Sequence, residues 1–335
     1  MLKIELFKIL CDGQFHSGTE LGVQLQCSRS AIWKAVKSLK LEFNANIFSV
    51  RGRGYCLSNA IELLDKQLIL NALTANAKKI VSNIDIFFSL DSTNDYLISD
   101  TKLNKYNNSI CQICLAEYQY KGKGRRGKQW VSPIGGNIYC SLSWNFNKSF
   151  HELAGLSLAI SVGVANFLKH YGVTEVELKW PNDILWQGKK LLGVLLEMHG
   201  EASGPCTTII GIGINFNMKN LNVDIDQAWC DLNSILTTLP SRNIFTAHLL
   251  DNLINSIQLF EQKGLAAFLE SWQQYDVIQD KEIIIKKLDT VEQGIARGID
   301  PSGALLVEKN GQITALYSGD VSIRLSDAKS TVEST

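Results

Sequence analysis

The sequence predicts an α+β chain of three modules. An N-terminal winged helix-turn-helix precedes a central domain on a mixed, mostly hairpin-connected sheet, and a small β-barrel closes the chain. Three observations predict this. Residues 1–58 carry three short helical patterns and then a basic hairpin. From about Asp65 to Tyr275, strand-like apolar runs mix with amphipathic helices, and four further strand-like runs separated by turn signals fill residues 277–325. The 335 residues, 45% of them hydrophobic, suffice for about two or three domains with buried cores.

The first element, LKIELFKIL, has apolar residues at helical spacing. Ser17-Gly-Thr-Glu20 is a capping box that opens a second helix through Leu21 and Leu25. After the short turn Gln26-Cys27, Ser28 caps a third helix. Its Ile32, Val36 and Leu39 recur at i, i+4 and i+7, which leaves Arg29, Lys34 and Lys37 off the buried stripe. NIFSVRGRGYCLS alternates apolar and polar residues on either side of Arg51-Gly52-Arg53-Gly54, a hairpin with a basic tip. The chain has zero net charge, with 33 basic and 33 acidic residues, so no whole-protein field points to nucleic acid. Locally the balance differs. Between Cys27 and Tyr55 six basic residues stand against Glu42 alone. Caps, turn, basic helix and basic wing in one order predict DNA binding, with Arg29, Ser30, Lys34, Lys37, Arg51 and Arg53 as the candidate contacts.

In the central region IDIFFSL, SICQICLAEY and GNIYCSLSW read as strands. HELAGLSLAISVGVANFLKHYG places Leu153, Leu156, Ile160, Val164 and Phe167 on one helical face. VELKW, the hairpin ILWQGKKLLGVLLEM and TTIIGIGINF follow, then a helical stretch from Phe245 to Gln274 interrupted by Gly264. Past residue 277, EIIIKKL, EQGIARGI, ALLVEK and VSIRL are strand-like, with Asp300-Pro-Ser-Gly303 and Asn310-Gly311 as turn signals.

Several functional classes are excluded. MLKIELFKILCDGQFHSG is too short and too interrupted by charge for a signal peptide, and no apolar run is long enough to cross a bilayer, so a cytoplasmic location without membrane contact is expected. Eight dispersed cysteines read as reduced, mostly buried thiols, and the C-x-x-C of Cys111 and Cys114 as strand packing without a second ligand pair. Five scattered histidines offer no Ser-His-Asp or Cys-His arrangement.

KGKGRRGKQW, residues 121–130, fits both G-x-G-x-x-G and G-x-x-x-x-G-K. Either phosphate loop needs a helix directly after its glycines, whereas Gly127 leads into KQWVSPIGGN. Gln129 also replaces the hydroxyl that a P-loop gives to magnesium. Both matches are accidental. What remains is a glycine loop with five cations, Lys121, Lys123, Arg125, Arg126 and Lys128, expected to be disordered until an anion compensates them.

ICLAEYQYKGKGRRGKQWVSPIGGNIYCSLSW, DSTNDYL, LKWPNDILWQGKKLLGVLLEM and IIGIGINFNM together resemble the biotin protein ligases, of the bifunctional kind that is also a biotin operon repressor. The resemblance covers nearly the whole chain in order. It implies a winged helix-turn-helix over 1–62, a catalytic domain of biotin/lipoate ligase type over 63–274, an SH3-like β-barrel over 275–326 and a tail over 327–335. It further implies formation of biotinyl-5′-adenylate from biotin and ATP with Mg2+, then transfer of biotin to a lysine of a biotin carboxyl carrier protein. Implied regulatory partners are a second copy of the adenylate-bound chain, as a homodimer, and operator DNA.

Residue by residue, the resemblance assigns biotin contacts to Ser92, Thr93, Asn94, Gln119, Lys123, Gly124, Arg125 and Lys190. Nucleotide contacts fall to Arg126, Trp130, Asn182, Asp183 and Asn215. The catalytic cations are Lys190 and Arg125, with no dedicated protein metal site. Attack of a carboxylate on an α-phosphate gathers negative charge, so cations and donors are the groups required. Asp91-Ser-Thr-Asn reads equally as a helix cap, and Gly211 and Gly213 as buried strand glycines or as room for a nucleotide. Lys123 stands where the family usually has arginine, which keeps the charge but loses the bidentate fork. A regulator that senses ligand without ligating it, and a lipoate ligase, are the competing readings.

Overall fold

A computed structural model describes residues 2–103, 111–201, 203–218, 225–287, 290–319 and 321–325. The expected tail, 327–335, lies outside the described residues. The chain divides into two compact units: Met1–Asn145 with Leu191–His199 and Thr207–Asp251, and Phe146–Lys190 with Gly200–Cys206 and Asn252–Thr335.

In the first unit, α1 (Leu2–Leu10), α2 (Gly18–Gln24) and α3 (Arg29–Glu42) precede a hairpin of β1 (Ile47–Val50) and β2 (Gly54–Leu57). The predicted capping box is present in both directions between Ser17 and Glu20, and Ser28 caps α3 by accepting from the Ala31 amide. Leu6, Phe7, Leu10, Leu21, Ile32, Val36 and Leu39 form the core of the module. Phe43 at the end of α3 joins that core and meets the Tyr118 ring edge-on at 5.0 Å. The winged helix therefore packs on the segment that carries Tyr118 and Gln119.

Next come α4 (Lys66–Ala72), α5 (Ala75–Ile80), β3 (Val81–Phe87), α6 (Thr93–Leu103), β4 (Cys111–Ala116) and β5 (Asn137–Phe146). The sequence reading had not singled out α4 and α5, short helices capped by Asp65 and Thr74. A buried ion pair braces this region. Arg242 Nη1 lies 2.6 Å from Glu117 Oε2, with both side chains almost fully buried. The same guanidinium donates to the carbonyls of Asn137 and Glu62, and Glu117 Oε1 accepts from the Leu64 amide.

In chain order the remaining elements are α7 (Leu156–His170), β6 (Val176–Lys179), β7 (Asp183–Trp186), β8 (Lys189–Gly200), β9 (Cys206–Asn215), α8 (Leu232–Ile235), α9 (Arg242–Lys263) and α10 (Leu269–Tyr275). The helix α7 starts three residues later than Leu153, the first residue of its predicted apolar face. Gly155 takes φ 82°, a left-handed backbone outside the helical range, so Leu153 lies in the turn before it. The central sheet has the order β3-β4-β5-β9-β8-β7-β6, mixed because β3 runs parallel to β4 while β4/β5 and β6/β7 are antiparallel.

The C-terminal strands are β10 (Glu282–Lys286), β11 (Val291–Ile299), β12 (Leu305–Lys309), β13 (Gln312–Leu316) and β14 (Ser322–Leu325), an antiparallel sheet in the order β13-β12-β11-β10-β14. A register shift between Ala296 and Ile299 bends β11. Both predicted turns form. Asp300 Oδ1 accepts from Ser302 and Ala304, and Asn310 and Gly311 both take positive φ between β12 and β13.

No described helix is long and apolar enough to cross a membrane. All eight cysteines are free thiols; seven are buried, and Cys27 is half-exposed. Cys111 and Cys114 sit inside β4, where burial pushes both thiols well above their usual pKa, Cys111 to about 12.

Candidate active site

In the first unit, the turn between β3 and α6 carries the DSTN segment. Ser92 Oγ accepts from the Asp95 amide, so the helix-cap reading holds for that hydroxyl. Ser92, Thr93 and Asn94 are all buried. Gln119 Oε1 accepts from the Thr93 amide at 2.9 Å and from its hydroxyl at 3.1 Å, while Gln119 Nε2 donates to Ser132 at 3.3 Å. Ser141 on β5 is completely buried, with its hydroxyl 2.7 Å from Thr93 Oγ1 and at hydrogen-bond distance from Asn94 Oδ1. Asn94 Nδ2 donates to Glu197 Oε2 on β8 at 2.7 Å. The segment is both a cap and one end of a continuous buried polar network.

The network explains two glycines on β9. A Cβ on Gly211 would collide with the Asn94 amide group, and one on Gly213 would sit 2.7 Å from Trp130 Cε2. The space these glycines leave is filled by protein side chains, which position Asn94 and Trp130. Asn215, on the same strand, is buried and donates to the Cys230 carbonyl, with its Oδ1 3.3 Å from Asn137 Nδ2.

Residues 121–130 form a defined hairpin. Trp130 N donates to Gly122 O, and Gly124 N donates to Lys128 O. The tip is a three-residue 3-10 turn, Arg125–Gly127, with Arg126 in the left-handed region at φ 57°. Extended backbone follows at Lys128, so no helix N-terminus is offered to a phosphate. The expected charge-driven disorder is offset by pairing. Lys121 Nζ lies 2.6 Å from Asp91 Oδ2, and Lys123 pairs with Asp95 and, at 3.3 Å, with Glu197. Gly124 and Arg125 are half-exposed, and Arg126 and Lys128 are exposed.

The winged helix presents Arg29, Ser30, Lys34 and Lys37 on the exposed face of α3, and Arg51 and Arg53 at the exposed tip of the hairpin. Lys37 Nζ stands 5.5 Å from the ring of Trp33, itself exposed, and the Arg53 guanidinium lies 4.0 Å from the Phe15 ring.

In the second unit, β6 and β7 pair antiparallel with Lys179 opposite Asp183. Between them Trp180-Pro181-Asn182 makes the turn through a cis Trp180-Pro181 bond. Trp180 is buried and its indole N–H donates to the Gly303 carbonyl at 3.0 Å, which holds the turn. Asn182 and Asp183 are half-exposed, and Lys190 Nζ lies 2.7 Å from Asp183 Oδ1. Lys189 is exposed. Gln187 and Gly188, both at positive φ, make the tight turn that brings Lys190 back beside Asp183.

Two participants escaped the sequence reading. Asp95 lies inside DSTNDYL, where the resemblance assigns it no role, and Ser141 left a signal: a hydroxyl at a position of GNIYCSLSW that β5 buries completely. Among the described residues no group of three His, Cys, Asp or Glu side chains is arranged to hold a metal ion.

Comparison with known proteins places this geometry. Residues 86–215 match the Biotin/lipoate A/B protein ligase family, residues 4–56 an HTH domain and residues 280–324 the biotin protein ligase C terminal domain. The chain is 37% identical over 322 residues to the bifunctional ligase/repressor BirA of Salmonella typhimurium, covering 96% of this chain and 97% of that one. The Escherichia coli protein of the same name is 37% identical over 331 residues, with the same coverage. Among solved structures, the biotin protein ligase from Aquifex aeolicus in complex with biotin and ATP aligns with a TM-score of 0.62 at 27% identity, covering 73% of this chain and all of that one. With its ligase domain, C-terminal domain and N-terminal helix-turn-helix in register, the chain belongs to the biotin protein ligase family.

Proposed function

We propose that the protein activates biotin with ATP as biotinyl-5′-adenylate, transfers biotin to a lysine of a biotin carboxyl carrier protein, and represses transcription in response to biotin. The observation that carries the ligase reading is the buried network of Thr93, Asn94, Gln119 and Ser141. Uncharged donors and acceptors held in fixed geometry suit the ureido ring of biotin and leave a lipoate dithiolane with nothing to satisfy them.

In the first step a biotin carboxylate oxygen attacks the α-phosphorus of ATP, and pyrophosphate leaves. The carboxylate is already the nucleophile at neutral pH, so no protein base is needed. What the protein supplies is positive charge where negative groups meet. Lys190 is assigned to the biotin carboxylate and α-phosphate, Arg125 to the same developing charge, and Arg126 and Trp130 to the adenylate. Asn182 and Asp183 take the nucleotide end, and Asn215, also assigned to the nucleotide, ends β9. Asp183 offers the oxygen donor suited to magnesium, which binds through one or two carboxylates and the nucleotide phosphates and would offset the charge of the departing pyrophosphate. In the second step the carrier lysine amine attacks the acyl carbon and AMP leaves.

We assign residues 1–62 to operator recognition, 63–274 to catalysis and 275–326 to the C-terminal domain. Two copies, each adenylate-bound, would present two basic α3 helices to two half-sites of operator DNA. A cytoplasmic location suits both the ATP and the DNA.

The test is biotin-dependent ATP–pyrophosphate exchange on the purified protein, with lipoate in parallel. Exchange with biotin alone is expected. Exchange with neither acid, in folded protein with magnesium present, would favour a regulator that senses without ligating.

A further inference from the structure

Lys123, at the base of the glycine loop, has its ammonium already occupied. It pairs with Asp95 in the first turn of α6 and lies 3.3 Å from Glu197 Oε1 on β8. The other Glu197 oxygen accepts from Asn94 Nδ2 at 2.7 Å. One carboxylate thus holds both the loop cation and the buried asparagine. Burial works against the Lys123 charge, yet the Asp95 and Glu197 carboxylates hold its pKa above the ordinary lysine value.

The geometry also fixes backbone. Lys123 pairs with Gln129 across the hairpin, between the Gly122–Trp130 and Gly124–Lys128 hydrogen bonds. Anchoring the ammonium therefore anchors the base of the hairpin, while Arg125 and Arg126 form its tip. Two carboxylates against one ammonium leave this corner with excess negative charge, a poor place for another anion. A compact ammonium with three donors can serve two carboxylates on different elements, where a planar guanidinium favours one bidentate partner.

We propose that Lys123 is a positioning residue which, with Asp95 and Glu197, latches the base of the glycine loop to the Ser92–Asn94 segment and makes no direct contact with the bound anion. The proposal rests on the ligase reading for its kinetic consequence and on geometry alone for the latch.

The test uses the full chain with Lys123→Met, Asp95→Asn, the double variant and Lys123→Arg. In biotin-dependent pyrophosphate exchange, each neutral single variant should raise the biotin KM about tenfold with kcat within about twofold, and the double should be no worse than the worse single. Lys123→Arg should restore KM to within about threefold of the parent. The pairs are partly exposed, so thermal unfolding should stay nearly unchanged and separates the effect from misfolding. An unchanged or lowered KM in Asp95→Asn, together with a large loss of kcat in Lys123→Met, would overturn the latch in favour of direct anion contact. Should the parent protein show no exchange at all, trypsin cleavage after Arg126 and Lys128 without ligand decides. Faster cleavage in both single variants supports the latch, and an unchanged rate overturns it.

Discussion

The Tyr120 hydroxyl donates a 2.7 Å hydrogen bond to Glu42 Oε1, at the last residue of α3. Tyr118 and Tyr120 both pack toward Phe43, while Gln119 between them turns the other way to Thr93. The period of two in an extended chain puts contacts to the winged helix and contacts to the buried Thr93 network on alternate residues of one short segment. Removing the hydroxyl with Tyr120→Phe should destabilise this junction by about 1–2 kcal/mol, because the bond it donates goes to a charged acceptor. A lowered urea midpoint with biotin exchange retained is the expected result.

Glu42 also gives the junction an acid limit. Hydrogen bonds from Lys3 and Tyr120 hold its carboxyl below the ordinary value of 4.5. The folded carboxyl titrates below the unfolded one, so its contribution is complete above the unfolded value and is lost as pH falls through the folded one. Glu42→Gln should therefore flatten the stability profile below the ordinary carboxylate pKa and leave its shape near pH 7 unchanged. Urea titrations across that range check this.

Arg242→Met leaves Glu117 buried without its cation and strips donors from the Asn137 and Glu62 carbonyls. Breaking one side of such a pair costs about 3–5 kcal/mol, whereas replacing both partners by apolar groups costs much less. The double variant Arg242→Met with Glu117→Leu should recover part of the loss in chemical denaturation.

Lys190→Ala should lower biotin-dependent exchange by about 100-fold or more, the usual consequence of removing a group that stabilises transition-state charge. Its pair with Asp183 is partly exposed, so the fold should lose at most about 1 kcal/mol. Steady-state exchange and thermal unfolding on the same preparation separate the two effects.

Lys34→Ala and Lys37→Ala should each reduce the salt dependence of DNA binding by about one unit of log–log slope if each neutralises a phosphate. The probe is a fragment selected from random DNA by the parent protein with biotin and ATP, measured across a salt series.

Local signals carried much of the architecture. The Ser17 box, the Ser28 cap, the α3 stripe, the Asn310-Gly311 turn and the Gly264 break all act within a few residues, and each forms as the sequence predicts. Motifs carried the family through Ser92–Asn94, Gln119 and Lys179–Asp183. What stayed hidden is long-range. Arg242 meets Glu117 across 125 positions, and nothing around either residue announces the other. The same holds for Lys123, whose partners at Asp95 and Glu197 become visible only when α6 and β8 are placed. For Gly211 and Gly213, the sequence fixes where side chains are missing but not that Asn94 and Trp130 fill the gap.

Seven thiols inside the core and one half-exposed at Cys27 make the native chain its own labelling reagent site. Buried thiols resist alkylation, whereas an accessible one reacts, so a maleimide dye should attach at a single position without any cysteine being removed. That position lies in the turn just before Ser28, the cap of α3. A fluorophore there would report DNA engagement in real time from otherwise unmodified protein.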